Sequence, residues 1–464
     1  LQGLTFRGGR FASGENYGAG LLFQGCLATL TNCVVRDNTN ACTTVSYGGG
    51  VYAASGSLTI LDSAFHNNRL QCTSANGYGG GIAAVNCPLT VRGTNSVFSN
   101  NAVSSSGSPK IYGGAIYASG GALTLDGATL TGNRASTTVN RSSYGGAVCH
   151  QGSGMPATIT DCLFADNAST KSGGGAAQGG ALYLGGATGV VTDCTFTNNY
   201  ASDDGFGGAI YATGLQSLQA VSNVFQGNWV APTVCAAAAI YVTGCNNTLV
   251  DSSTLDGSGV GAGKAPQLVY LTGGGSARFL DTSLRNNDAG GALYFTGAAS
   301  SLALTNCLVA NNSSNGLWVA AGTVTVANCT IVTNAGWGIT NAGTLTVKNS
   351  IAWANALGGI STNATTTITY TDSQESLAGA GNLSQAPLFV DPAFSDYHVM
   401  SLAGSWHGGG WTNDLQMSPC IDAGEPASAY SLEPKPNGGR VNLGAYGNTV
   451  QASRSSRGTV IAVW

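Results

Sequence analysis

A single unit recurs along almost the whole chain, and that recurrence limits the fold more than any other feature. It is clearest from Tyr112 to Asn133, YGGAIYASGGALTLDGATLTGN. A glycine pair is followed by a short apolar run, a turn, an alternating strand, and a bulky apolar residue three places before an asparagine. The same order runs from Tyr47 to Asn68, Tyr144 to Asn167, Gly179 to Asn199 and Phe206 to Asn228. Within each unit the apolar pattern has period two, the spacing of a strand with one buried face. No segment carries apolar residues every three or four positions between helix caps, which argues against helix.

The first aliphatic residue after the glycines falls at Val51, Ile82, Ile116, Val148, Leu182, Ile210 and Ile240. It continues at Val269, Leu293, Leu317, Ile339 and Ile360. A step of this size cannot bury its own hydrophobic face, but a stack of steps can, so the chain reads as a solenoid. Three short strands joined by turns would make each coil, with coils hydrogen-bonded about 4.8 Å apart. The long, irregular units fit a right-handed parallel β-helix of roughly twelve to thirteen coils at that spacing. Asn68, Asn101, Asn133, Asn167, Asn199 and Asn228 would then form one vertical column of bonded amides.

The repeat spans residues 1–370, with long coils to about residue 260. Their extra length lies in Ser/Gly/Thr-rich loops such as Ser104 to Lys110, Ser136 to Ser143 and Ser169 to Gly175. These loops leave from one corner and are expected to pile up on one side. Residues 371–450 lose the repeat and read as a C-terminal closure over the last coil's open edge. Residues 451–464 read as a tail or the start of a further module. The chain opens directly in a strand-like segment, Leu1 to Arg7, as the interior of a longer precursor would.

Charged residues make up only 8%, against about a quarter of an ordinary globular domain, and net charge is −4. With no basic stripe in the sequence, nucleic acid is not an expected partner. No apolar run is long enough for a membrane span. Thirteen cysteines leave at least one unpaired within a single chain. Cys33, Cys162, Cys194, Cys307 and Cys329 precede the buried position of the Asn-ending strand and read as small buried hydrophobes. Cys42 and Cys72 occupy corresponding positions of adjacent coils and are a candidate disulfide. Cys235 and Cys245, bracketing one strand, are a weaker candidate. Such thiol usage favours an exported protein.

Two resemblances follow. Gly113-Gly114-Ala115-Ile116 and Gly145-Gly146-Ala147-Val148 alternate with Phe three places before Asn, as in Phe98 to Asn101 and Phe164 to Asn167. This resembles the repeat pair of the chlamydial polymorphic outer-membrane proteins, whose surface β-helices are linked to adhesion. Ser418-Pro419-Cys420-Ile421-Asp422-Ala423-Gly424 and Gly439 to Gly447 resemble the end of large secreted bacterial β-helix proteins. The resemblance implies a bacterial protein at the cell surface or outside the cell. Polysaccharide lyases and glycosidases share that fold, and fold does not carry function across.

If the aliphatic residue of each coil points inward, its successor points out. Those successors are Tyr52, Tyr117, Tyr183, Tyr211, Tyr241, Tyr270, Tyr294 and Trp318. Such a file either stacks on sugar rings or forms a self-supporting ladder. Asp161 and Asp193, on adjacent coils, could stand about 5 Å apart and hold Ca²⁺ or serve a glycosidase. They also suit turn corners. Asp203-Asp204 before Phe206 resembles the paired aspartates of β-helix polygalacturonases, without that family's companion histidine and basic motifs. Arg36, His66 and Arg69 form a small cationic cluster that could supply a base and charge neutralisation for a lyase. His150 reads as solvent-facing, and His398 and His407 as packing residues of the closure.

These observations favour a non-catalytic surface stalk or adhesin that presents an aromatic and polar face to polysaccharide or cell-surface glycan. A polysaccharide lyase or inverting glycosidase is the alternative. Head-to-tail assembly into a filament is a third reading.

Overall fold

In the computed structural model, residues 1–12, 16–107, 110–138, 141–152, 154–202, 205–231, 237–257 and 267–456 are described, the side chain of Cys42 excepted. They fall into two compact units, Leu1–Gly275 and Ser276–Trp464. Each unit contains coils of a right-handed parallel β-helix.

In the first unit, three faces recur coil after coil. One coil contributes Val51–Ala54 to the first face, Ser57–Leu61 to the second and Ala64–His66 to the third. Every strand pairs in parallel with its counterparts one coil away. Val51 stands opposite Ile82, and Ile82 opposite Ile116. The aliphatic residues of this column are buried, as the period-two pattern requires.

The glycine pair has two separate causes. Gly113 adopts φ +65°, in the left-handed region that side chains disfavour. At Gly114 an added Cβ would lie 2.0 Å from the carbonyl oxygen of Gly146 in the next coil. One glycine permits the turn and the other permits the stacking.

The asparagine column forms as expected. Asn68 Nδ2 donates to Asn101 Oδ1 (3.0 Å), Asn101 to Asn133 (3.0 Å), Asn133 to Asn167 (3.0 Å) and Asn167 to Asn199 (3.0 Å). Each backbone N–H donates to the same next oxygen, and each amide also donates to a carbonyl of the preceding coil. Beside it, Phe164 and Phe196 stack at 4.7 Å and Phe196 and Phe225 at 4.9 Å, all essentially buried.

The long coils depart from three strands. The expected loops carry two further parallel ladders, one of eight strands and one of five. Arg69–Cys72 and Gly77–Tyr78 represent them in one coil. Their inward residues Leu70, Cys72, Val103, Ile111 and Ala135 form a small core of their own. The Ser/Gly/Thr composition hid this, because each strand contributes only one or two apolar residues.

In the second unit the coils are short, as in Thr323–Ala327, Thr330–Val332 and Trp337–Asn341. An amide column recurs there through Asn312, Asn334 and Asn355, and Gln374 Oε1 accepts the Asn355 N–H. The closure carries two antiparallel pairs, Phe389–Asp391 with Asp396–Val399 and Ser405–His407 with Gly410–Thr412. It lies along the side of the coils and not only over an end. Tyr397 and Ala445 pack on Leu308, Ala310 and Val332. Val399, Cys420, Ile421 and Leu443 pack on Ile351. Asn306 Nδ2 donates to the carbonyls of Ala445 and Gly447. The signal was present in Leu308-Val309-Ala310 and Thr330-Ile331-Val332, where alternation gives way to three buried residues in a row.

Candidate functional site

The tyrosine file stands in register on the outer side of the first face. Tyr52 faces Ala83, Ala83 faces Tyr117, and Tyr183, Tyr211, Tyr241 and Tyr270 follow one another. Its rings are stacked, Tyr211 on Tyr241 at 5.1 Å and Tyr241 on Tyr270 at 5.2 Å. Much of this file is not open to a ligand. Tyr47, Tyr78, Tyr112 and Tyr144, carried by the five-stranded ladder, form a second stack at 4.7–4.8 Å that leans on the first. Tyr78 lies 4.7 Å from Tyr117, and Tyr144 meets Tyr183 edge-on at 5.2 Å. Tyr117, Tyr183 and Tyr211 retain only 6–9% exposure. Burial pushes the hydroxyls of Tyr117 and Tyr183 far above the usual phenol range, and that of Tyr241 up to about 12. In the second unit Tyr294 and the more exposed Trp318 meet edge-on at 5.2 Å.

His150 is a further correction. It faces Ala118 and Leu184 in the inward column, is buried, and approaches the Gly121 carbonyl at 3.3 Å. Cys149 occupies the outward position among the tyrosines. Burial lowers the His150 pKa.

Asp161 and Asp193 both adopt positive φ, +53° and +54°, at exposed strand corners. Asn32, Asp62, Asn306, Asn328 and Asn349 do the same at the equivalent corner. Asn and Asp tolerate this region better than other side chains, so backbone geometry accounts for the column. Among the described residues no group of three His, Cys, Asp or Glu side chains could hold a metal ion. Asp203, Asp204 and Cys235 lie outside the described residues, as does the side chain of Cys42. Cys42 and Cys72 do stand opposite each other in register, and Cys245 is buried as a thiol.

In the closure, Ser405, His407 and Asp414 come together without forming a catalytic triad. His407 Nε2 approaches both Ser405 Oγ (2.9 Å) and Asp414 Oδ1 (3.0 Å), while Ser405 Oγ donates to Asp414 Oδ2 (2.5 Å). A triad requires the two imidazole nitrogens to divide these roles. Here one nitrogen serves both, and the carboxylate also accepts the Ser401 N–H. The trio clasps the hairpin.

The cationic cluster divides between two neighbouring ladders. On the third face Arg7, Arg36 and His66 stand in register. Arg36 pairs with Asp37 at 3.5 Å, and His66 Nδ1 lies 2.6 Å from Ser99 Oγ. Partial burial, then the Arg36 charge, lowers the His66 pKa, with Asp37 opposing. Across the corner, the eight-stranded ladder places Arg10, Thr39 and Arg69 in register. These three line an open groove with Asp37, Asn67 and Gln71. Asn67 Nδ2 donates to Asp37 Oδ1 (3.2 Å), so the one carboxylate among the described lining residues is already engaged. Sequence reading found Arg36, His66 and Arg69 but missed Arg7 and Arg10, whose phase is set by pairing to later coils.

A family model described as "right handed beta helix region" matches residues 89–264 and 208–374. The chain belongs to the right-handed β-helix family. No curated protein matches it. The solved structures it resembles include the crystal structure of pectate lyase Pel9A, at 13% identity, with 88% of each chain covered and a TM-score of 0.27. For a right-handed β-helix the family name describes the backbone, and chemistry must come from side chains on the outer faces. No described helix is long and apolar enough to cross a membrane.

Proposed function

We propose that this β-helix is a non-catalytic module, exported to the cell surface, that binds an anionic glycan through the Arg10–Arg69 groove. The observation that carries this reading is the placement of Arg10 and Arg69. Both are exposed, two coils apart in register on a hydrogen-bonded ladder, and neither is ion-paired among the described residues. Guanidinium groups recognise carboxylates and sulfates through paired N–H donors. Asn67, Thr39 and Gln71 add hydrogen-bonding groups for sugar hydroxyls. The likeness of the glycine-pair and Phe-to-Asn repeats to chlamydial surface adhesins supports an adhesive role.

The test is binding of the full chain to acidic and neutral polysaccharides. Acidic polymers should bind, and Arg69→Ala should weaken them about tenfold. Equal binding of neutral polymers, or an Arg69→Ala variant that binds like the parent, overturns the proposal.

One observation favours a polysaccharide lyase as the second reading. His66 has a lowered pKa beside Arg36, so a neutral base and a cation stand together. Incubation with acidic polysaccharides and detection of unsaturated product decides this. Product that disappears in His66→Ala would replace the binding module with an enzyme.

A further inference from the structure

The groove is one end of a longer lane on the eight-stranded ladder. Each strand after its first begins just after the asparagine column; its second residue is buried, and its first is exposed or half-buried except at Ala168, which is buried. Following that first position by register, Arg10 faces Thr39, Thr39 faces Arg69, and Arg69 faces Ala102. Ala102 then faces Arg134, Arg134 faces Ala168, and Ala168 faces Tyr200. Tyr200 faces Trp229, and their rings stack at 3.8 Å with 20° between planes. Arginine therefore recurs on every second coil, separated by Thr or Ala, and the lane ends on an aromatic pair. Arg69 and Arg134 are exposed, and Trp229 keeps 39% exposure.

Two strand spacings separate the arginines, about 9.6 Å, and the lane spans seven spacings, about 34 Å. Small residues between the arginines leave room for a chain to lie along the lane. Gln71, Ser104, Ser136 and Thr170, two residues further along each strand, form a parallel row of hydrogen-bonding groups. Asp37, at the corner beside Thr39, would repel an anionic group placed between Arg10 and Arg69, and Asp166 stands at the equivalent corner beyond Arg134. Trp229 supplies a partly exposed ring against which a sugar face can stack.

We infer that this lane is an extended binding track for a linear polysaccharide carrying an anionic group on every second sugar, lying across the strands with one end on Trp229. The inference rests on the groove reading above and adds its length, charge pattern and aromatic terminus. A pyranose unit spans close to one strand spacing, so a charge on alternate sugars meets an arginine on alternate coils. The modest net charge of −4 and the neighbouring aspartates favour such a glycan over a nucleic acid, which carries a phosphate at every residue.

The experiment compares hyaluronan oligosaccharides of four and ten sugars, a ten-sugar polygalacturonate and an oligothymidylate on the full chain, by calorimetry at one salt concentration. The longer hyaluronan should bind at least about tenfold more tightly than the shorter. It should also bind more tightly than polygalacturonate. Arg134→Ala and Trp229→Ala should each remove most of the gain for ten sugars over four. If four and ten sugars bind alike and both variants are silent while Arg69→Ala still matters, the track is overturned and the groove stands. If polygalacturonate equals or exceeds hyaluronan, the alternating pattern is overturned. If no acidic glycan binds, or Arg69→Ala is silent, the groove falls as well. Tighter binding of oligothymidylate than of any glycan overturns both in favour of a nucleic-acid surface.

Discussion

Asn133 shows how much one side chain carries. Its amide donates to Asn167 Oδ1 and to the Phe98 carbonyl, while its oxygen accepts from both the backbone and the amide of Asn101. Asn133→Ala strands several fully buried groups at once, each costing about 1–3 kcal/mol. Urea unfolding should register a loss of about 4 kcal/mol or more, and a loss under 1 kcal/mol would show that the column is ornamental. Glu433 is a different case. Its Oε1 accepts the N–H groups of Asn442 and Asn448, its Oε2 is buried with no partner among the described residues, and burial, with the nearby Asp422 charge adding, pushes its pKa up to about 7. An acid whose pKa rises on folding holds its proton more tightly in the folded state. Its contribution is therefore full below about pH 4.5 and is lost as pH rises through 7. Unfolding free energy of the parent should fall by up to about 3 kcal/mol between those values. The Glu433→Gln profile should be flatter, and identical profiles would remove Glu433 as the cause.

At the scale of the strand and turn, the glycine pair sets the coil spacing. Gly114→Ala would place a methyl 2.0 Å from the Gly146 carbonyl oxygen. No rotamer relieves a Cβ contact, so two coils must separate. The variant should lose at least about 3 kcal/mol or fail to accumulate as soluble protein, and native-like thermal unfolding would contradict the close approach. Phe164→Ala should cost about 3–5 kcal/mol in the same assay, because the ring is sandwiched on one side by Phe196 and wholly buried. Period-two alternation made the three faces and their inward columns legible. It did not reveal the eight- and five-stranded ladders, where strands such as Tyr200–Ala201 are too short to show a period. It also misassigned His150, since the outward position was already held by Cys149.

At the scale of the whole molecule, function depends on which outer lane stays uncovered. Binding of an acidic glycan to the arginine lane should weaken as salt rises from about 50 to 500 mM, because the Debye length shrinks to a few ångströms. Arg69→Ala should flatten that dependence, whereas salt-insensitive binding would move the contact elsewhere. The sequence by itself determined that successive units stack and which residues become vertical neighbours. Side chains at one phase of a repeat must superpose once the backbones pair, so the amide, phenylalanine and tyrosine columns all followed from spacing. Tertiary structure alone decided which of those columns meets solvent. Covering groups come from another phase of the coil, as Tyr78 and Tyr144 do over the tyrosine file. In the second unit they come from a segment more than a hundred residues away, as Ala445 does at Thr330. Lateral packing of this kind leaves no periodic trace, so the lane left open had to be read from the folded chain.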